Sequence, residues 1–285
     1  MKQFFLAALS LISFSTFAQH GDAAKAKVKT VQLQPGQKLN VELETSQNTD
    51  MSMGMTIKND SHSKNIVNII SASGNDIKLS STVKKAKMKG DMMGQPMVFD
   101  SDVPDTSSDL YKAMIKEIDV PKNYTLNKAT GISTPEQPAK DPVDMEVDED
   151  DPSEMLGSLA DQGDANLVEQ LVFFVPANVK AGQSWIDSTS AKGLTNTVKF
   201  LVESVSGNIV TLNTTGTIKG SSRMNMQGTD LDMTMNSTTA GKMEIDVSTN
   251  LVKKKKITVT MNGSIDMMGQ SMNFTGTTVT DMKVD

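Results

Sequence analysis

The stretch Gly263–Val284 decides the fold, and its centre reads Asp266-Met267-Met268-Gly269-Gln270-Ser271-Met272-Asn273-Phe274. A near copy stands 175 positions earlier, Asp91-Met92-Met93-Gly94-Gln95-Pro96-Met97-Val98-Phe99, identical at seven of nine positions. A two-residue connection at Gly269-Gln270 suits a type II′ turn, which needs positive φ at its first central residue. Glycine takes that conformation at little steric cost. The turn predicts Met267 opposite Met272 and Ile265 opposite Phe274. Walking outward by twos, one face collects Ile257, Val259, Met261, Gly263, Ile265 and Met267, then Met272, Phe274 and Gly276. The other collects Lys256, Thr258, Thr260, Asn262, Ser264 and Asp266, then Asn273, Thr275 and Thr277. Such alternation over two arms marks a half-buried antiparallel pair. A helical period would mix the two sets.

The same reading extends over the rest of the chain. Leu39, Val41, Leu43, Thr45, Met51, Met53, Met55 and Ile57 share one parity. They predict one very long strand or two collinear ones, with polar turn material from Lys58 to Lys64. Ile66–Ile70 is the next strand, Ser73-Gly74-Asn75 its turn, and Ile77–Gly90 the return. There the apolar parity changes from Ile77, Leu79 and Val83 to Ala86, Met88 and Met92, which a bulge near Lys84-Lys85 reconciles. Ser71–Asn75 resembles Ser204–Asn208, and each is followed by a Met-rich turn. In the second copy a four-residue loop predicts Met226 opposite Leu231 and Met224 opposite Met233. The expected fold is therefore all-β: long antiparallel strands in two related curved sheets or half-barrels, residues 31–102 and 175–285.

Residues 103–174 form a helical and acidic insert. Pro104–Ser108 leads into a helix with Leu110, Met114, Ile115 and Ile118 inward. Tyr124–Ser133 reads as a short strand pair. Asp141–Glu154 holds eight carboxylates and no basic residue, the composition of a solvated linker. Its Asp144, Glu146 and Asp148 have alternating spacing, but Glu149 stands where a calcium loop needs glycine. Short helices are expected after Pro152 and near Asn166–Leu171. Asn250-Leu251-Val252 reads as a turn, followed by Lys253–Lys256 as an exposed strand start.

The first residues, a basic start and a short apolar run to Phe17 before Ala18, describe a secretory signal peptide cut after Ala18. Residues 19–30 make a polar arm. The expected location is periplasmic or secreted. With no cysteine there is neither lipid attachment, disulfide nor thiol chemistry. No apolar run reaches transmembrane length. Loss of Lys2 with the leader leaves 27 basic against 34 acidic residues, which argues against nucleic acid.

The order of features resembles a family of secreted bacterial proteins known only as a domain of unknown function. Three stretches carry the resemblance: Pro35–Leu39, Phe174-Val175-Pro176 through Val179–Trp185, and Asp246–Lys255. It implies a β-rich secreted protein and brings no activity, cofactor or catalytic residue. The long strands are also similar, at fold level, to the open half-barrels of periplasmic lipoprotein carriers.

Little in the sequence supports catalysis. His20 and His62 are the only histidines, and neither has a motif around it. No glycine loop links a strand to a helix as phosphate binding requires. The expectation is a non-enzymatic binding or carrier protein without cofactor. It would hold an apolar small molecule, lipid or protein segment on Met-lined faces: Met51, Met53, Met55, Met92, Met97, Met224, Met226, Met233, Met235, Met267 and Met272. The alternative is Cu(I) or Ag(I) binding by the Met-x-Met clusters 51/53/55, 224/226 and 233/235, since soft thioethers select those ions. Packing accounts for the same residues, because Met fills irregular apolar space.

Overall fold

The structure, a computed structural model, describes residues 30–52, 54–92, 95–136, 167–191, 193–226, 229–267 and 270–285. The leader, most of the N-terminal arm, the acidic run and Met53 lie outside them. Twelve strands form one antiparallel sheet. They are β1 (Lys38–Met51), β2 (Met55–Ser73), β3 (Asp76–Met92), β4 (Gln95–Asp100), β5 (Pro121–Asn127) and β6 (Ser133–Pro135). After the insert come β7 (Ser184–Ala191), β8 (Leu194–Ser206), β9 (Ile209–Met226), β10 (Thr229–Asp246), β11 (Leu251–Met267) and β12 (Gln270–Val284). The order is β6-β5-β3-β2-β1-β12-β11-β10-β9-β8-β7, with β4 beside the far end of β3. The strands expected as two sheets are joined into one where β1 pairs with β12, and β5 and β6, from the expected insert, extend it beside β3. The sheet is not closed into a barrel among the described residues. No described helix is long and apolar enough to cross a membrane.

Alternation sorts the faces as the sequence suggests. Ile257, Val259, Met261, Ile265, Met272 and Phe274 are buried, whereas Lys256, Thr260, Asn262, Asp266, Asn273, Thr275 and Thr277 are exposed. The registers differ from expectation. Met267 faces Gln270, Ile265 faces Met272 and Gly263 faces Phe274. Phe274 thereby lies over a position without a side chain, where a Cβ would come within 2.6 Å of its ring. Likewise Met226 faces Thr229 and Met224 faces Leu231, not the wider pairs expected. Both shifts are by two residues, so every side chain keeps its face. In the β11–β12 hairpin the pairing centre moves back by one residue, whereas the β9–β10 ladder gains the rung Met226–Thr229.

Two further corrections concern β1 and β2. They are a hairpin, not collinear strands: Met51 pairs with Met55 around Ser52–Gly54. Gly54 has φ +75°, and Thr56 donates to Asp50 Oδ1 at 2.9 Å beside the turn. Lys58–Lys64 is not a turn but the middle of β2, paired on both sides. The bulge near Lys84 is present, since Lys64 faces Lys85 and Asn65 faces Val83.

Helix α1 (Asp109–Met114) is capped by Ser108, whose side chain accepts from the Tyr111 amide. Tyr111 is its buried residue and packs on Phe99, with ring centroids 5.7 Å apart. Leu110, Met114, Ile115 and Ile118, expected inward, are half-buried. The turn after β10 runs from Val247 to Asn250, and Leu251 and Val252 already belong to β11.

The main core fills one end of the inner face. It gathers Leu39, Val41, Val67, Ile69, Ile77, Leu79, Phe200, Val202, Val210, Leu212, Met243, Ile245, Met282 and Val284. Residues 167–175 plug it. Leu167, Val168, Leu171, Phe173 and Val175 are buried, Val172 bridges to Leu251, and the Val252 amide donates to the Leu171 carbonyl at 2.9 Å. Phe200 lies between Phe173 (5.1 Å) and the stacked Trp185 (5.2 Å).

Candidate apolar binding face

Paired residues share a face, so the ladders define rows running across the inner side. Adjoining the core, and continuous with it through Ile257, Val259, Val198 and Phe200, three rows are otherwise mostly small or polar. The first runs Ser61, Thr45, Thr280, Ile257, Gly241, Thr214, Phe200. The second runs Asn59, Gln47, Thr278, Val259, Thr239, Gly216, Val198. The third runs Ile57, Thr49, Gly276, Met261, Ser237, Ile218, Asn196. Apolar character then returns in Met51, Phe274, Gly263 and Met235, followed by Met272, Ile265 and Met233.

Glycines on this face report its curvature. A Cβ on Gly216 would sit 2.8 Å from the Thr197 carbonyl oxygen, and one on Gly276 would sit 2.9 Å from that of Asn48. Gly241 and Gly263 are tighter still, against the carbonyls of Lys256 and Thr234. Backbone this close leaves no room for an inward side chain, the mark of a sheet coiled around that side.

Among the residues expected to bind, Met51, Met233, Met235 and Met272 are each at most 5% exposed. The structure brings these four onto one face, together with Met261, and Met97 is half-buried opposite Gly90 on β4. Met55, Met92, Met224, Met226 and Met267 take part in the ladders, opposite Met51, Gln95, Leu231, Thr229 and Gln270. Their side chains lie outside the described part. Met51 and Met235 share a row but stand three strand spacings apart, roughly 14 Å; Met233 and Met272 are two apart, roughly 10 Å. Ile265, Phe274 and Gly263 fill the positions between. This lattice suits apolar packing better than convergence on one ion. Among the described residues, no group of three His, Asp or Glu side chains is placed to hold a metal.

Lys255, expected to be exposed, is buried. A bulge at Lys253 places both Val252 and Lys255 on the inner side, Lys255 between Met243 and Met282. Its ammonium donates to Gln170 Oε1 at 3.0 Å, and burial lowers its pKa to about 8. The signal was available: stepping back by two from Ile257 lands on Lys255. Two carboxyls are also affected. Burial raises Asp187, opposed by a hydrogen bond from Trp185, and raises Glu169, opposed by the Ser133 amide.

Buried polar atoms cluster on the three small-residue rows. Asn59 Oδ1, Asn196 Oδ1, Thr214 Oγ1 and Ser237 Oγ are buried without a hydrogen-bond partner. Each such group costs about 1–3 kcal/mol when left unpaired. The outer side has an open groove of about 510 Å³, lined by Glu44, Asp60, His62, Lys87, Asp100 and Lys256 among others. Its basic side chains are partnered: His62 meets Glu42 at 2.9 Å, Lys87 meets Asp100 at 2.9 Å and Lys256 meets Asp281 at 3.8 Å. Met88, Val98, Phe99 and Val279 add apolar surface between these pairs.

The fold is similar to that of lipovitellin, in a solved structure concerned with lipid–protein interactions. The TM-score is 0.53 at 11% identity, over 89% of this chain and 25% of the lipovitellin chain. The chain thus spans a quarter of that protein's length, and the likeness is one of fold. An outer membrane channel from Pseudomonas putida F1 aligns over 92% of this chain and 100% of its own, but at 6% identity and a TM-score of only 0.26. No curated protein matches the sequence. A family match covers the plug and the strands that follow it: residues 153–252 fit the model of DUF6263, a family of unknown function.

Proposed function

We propose that this protein is a non-enzymatic carrier, secreted or periplasmic, that holds an apolar ligand on the inner face of its sheet. The observation that carries this reading is the Met-rich band. Apolar lining resumes beyond the polar rows with Met51, Met233, Met235, Ile265, Met272 and Phe274, in a sheet whose edges are not joined among the described residues. Flexible, polarisable Met side chains repack around ligands of irregular shape. The fold likeness to lipovitellin agrees with such a role. Met97, half-buried on β4 opposite Gly90 of β3, is a further candidate for the same lining.

The test is direct. Protein purified from a bacterial periplasm without detergent is extracted with organic solvent, and the extract is analysed by mass spectrometry. One dominant amphiphile near equimolar amount is expected. The purified protein should also take up a fluorescent acyl-chain probe, and Met235→Gln should weaken uptake about tenfold while the fold is retained. A protein that carries nothing and takes up no probe is not a carrier of this kind. Tight Cu(I) binding under reducing conditions, with no probe uptake, would favour the thioether-metal alternative.

A further inference from the structure

The inner face carries more than apolar surface. Thr214 and Ser237 are 2% and 0% exposed, yet their hydroxyl oxygens have no hydrogen-bond partner. The amide oxygens of Asn59 and Asn196 are buried and unpartnered as well. All four occupy the three adjacent rows between the core and the Met band. In the third row, Ser237 and Asn196 flank Ile218. Thr214 lies in the first row beside Gly241, and Asn59 in the second beside Gln47. The other two such atoms lie elsewhere, Ser81 Oγ within the core end and Asn250 Oδ1 in a turn. Glycines 216, 241 and 276 occur in these same rows, one in each, which keeps side-chain bulk low there. A face meant only for hydrocarbon has no use for such a belt, because each polar atom resists losing water unless a ligand atom replaces it.

We infer that the belt, through Asn196, Thr214 and Ser237 on the adjacent strands β8, β9 and β10, recognises the polar part of an amphiphile, one whose hydroxyl or amide groups donate hydrogen bonds while its acyl chain lies on the Met band. The class follows from the atoms. Carboxamide oxygens only accept, so they need donors. The Ser and Thr hydroxyls accept equally well and can return a bond. A plain hydrocarbon or an ester without donors leaves the belt unpaired. The inference rests on the carrier reading given above and narrows its ligand.

The experiment compares two probes with the same acyl chain, monopalmitoylglycerol, which has two hydroxyl donors, and methyl palmitate, which has none. Binding is measured by displacement of a fluorescent acyl probe from the full chain. Monopalmitoylglycerol is expected to bind at least tenfold more tightly, equivalent to about 1.4 kcal/mol. In Ser237→Ala/Thr214→Val the preference should fall to about threefold or less, with methyl palmitate affinity unchanged. Should that variant not fold, Asn196→Ala is read in the same way. Equal affinity of the two probes for the wild-type protein overturns the belt assignment and leaves the carrier reading standing, with water in the belt. Failure of both probes to bind removes the carrier reading and this inference together.

Discussion

The hairpins β2–β3 and β8–β9 are built alike and lined differently. Each turns at Gly-Asn, with φ +54° at Gly74 and +58° at Gly207. Each has one extra residue four positions before that glycine, Ile70 and Glu203, where the ladder shifts. The residues facing the core correspond: Ile69 with Val202, Ile77 with Val210 and Leu79 with Leu212, all at most 2% exposed. Even the leading turns agree. The Gln37 side chain accepts from the Gln34 amide at 3.2 Å, and that of Gln183 from the Lys180 amide at 2.7 Å. Gly36 donates to Ile69 and Gly182 to Val202, both at 2.8 Å. Two copies of one unit would look like this. Away from the turn the copies part. Asn65 stands where the other hairpin has Val198, and β3 alone has the bulge at Lys84. Turn, bulge and core end are therefore shared by the two hairpins, while the lining further along differs.

The strongest way to break this correspondence is to truncate the matched core leucines. Leu79→Ala and Leu212→Ala should each cost about 2–5 kcal/mol in denaturant titrations, because both vacate fully packed sites. A cost several-fold larger in one hairpin would show that the closed ends are not equivalent. Lys255 comes next, on a strand outside the matched units. Its depressed pKa means that the folded chain binds fewer protons than the unfolded chain between about pH 8 and the unfolded value near 10.5. Stability should thus rise with pH across that window and hold its penalty below it. Lys255→Met should remove that slope and add as much as about 3 kcal/mol at pH 7. Thermal melts of both proteins from pH 7 to 10.5 check the sign. The matched turn glycines are a gentler probe. Gly36→Ala and Gly182→Ala, at φ +83° and +86°, should each cost about 1–2 kcal/mol and by similar amounts. The smallest effect belongs to Ser237→Ala, expected to stabilise by about 1 kcal/mol, because it removes a buried hydroxyl that makes no bond.

The faces were legible because alternation is local. Ile257 through Phe274 sorted correctly, as did the Lys84 bulge and the Gly74-Asn75 turn. Register was less so: a shift by two keeps parity, and only the fit of Phe274 over Gly263 distinguishes the alternatives. The middle of β2 was hidden for another reason. Asn59, Ser61 and Ser63 face inward while Lys58, Asp60, His62 and Lys64 face outward, so polarity does not alternate there. The polar belt was missed with it. A strand that is polar on both faces looks like a loop. Lys255 was misplaced because a run of four lysines reads as solvated, although parity had already assigned one of them inward.

The pairing of β1 with β12 has a consequence for how the chain reaches this shape. Met51 meets Phe274 across 223 positions of sequence, whereas nearly every other ladder joins neighbours in the chain. The flanking meanders can zip up locally as they emerge, but this seam must wait for the last strand. Until then β1 offers a bare ladder of amides and carbonyls over many residues, open to pairing with a stray strand. Assembly is therefore limited by one long-range step, and the interval before it is when aggregation competes.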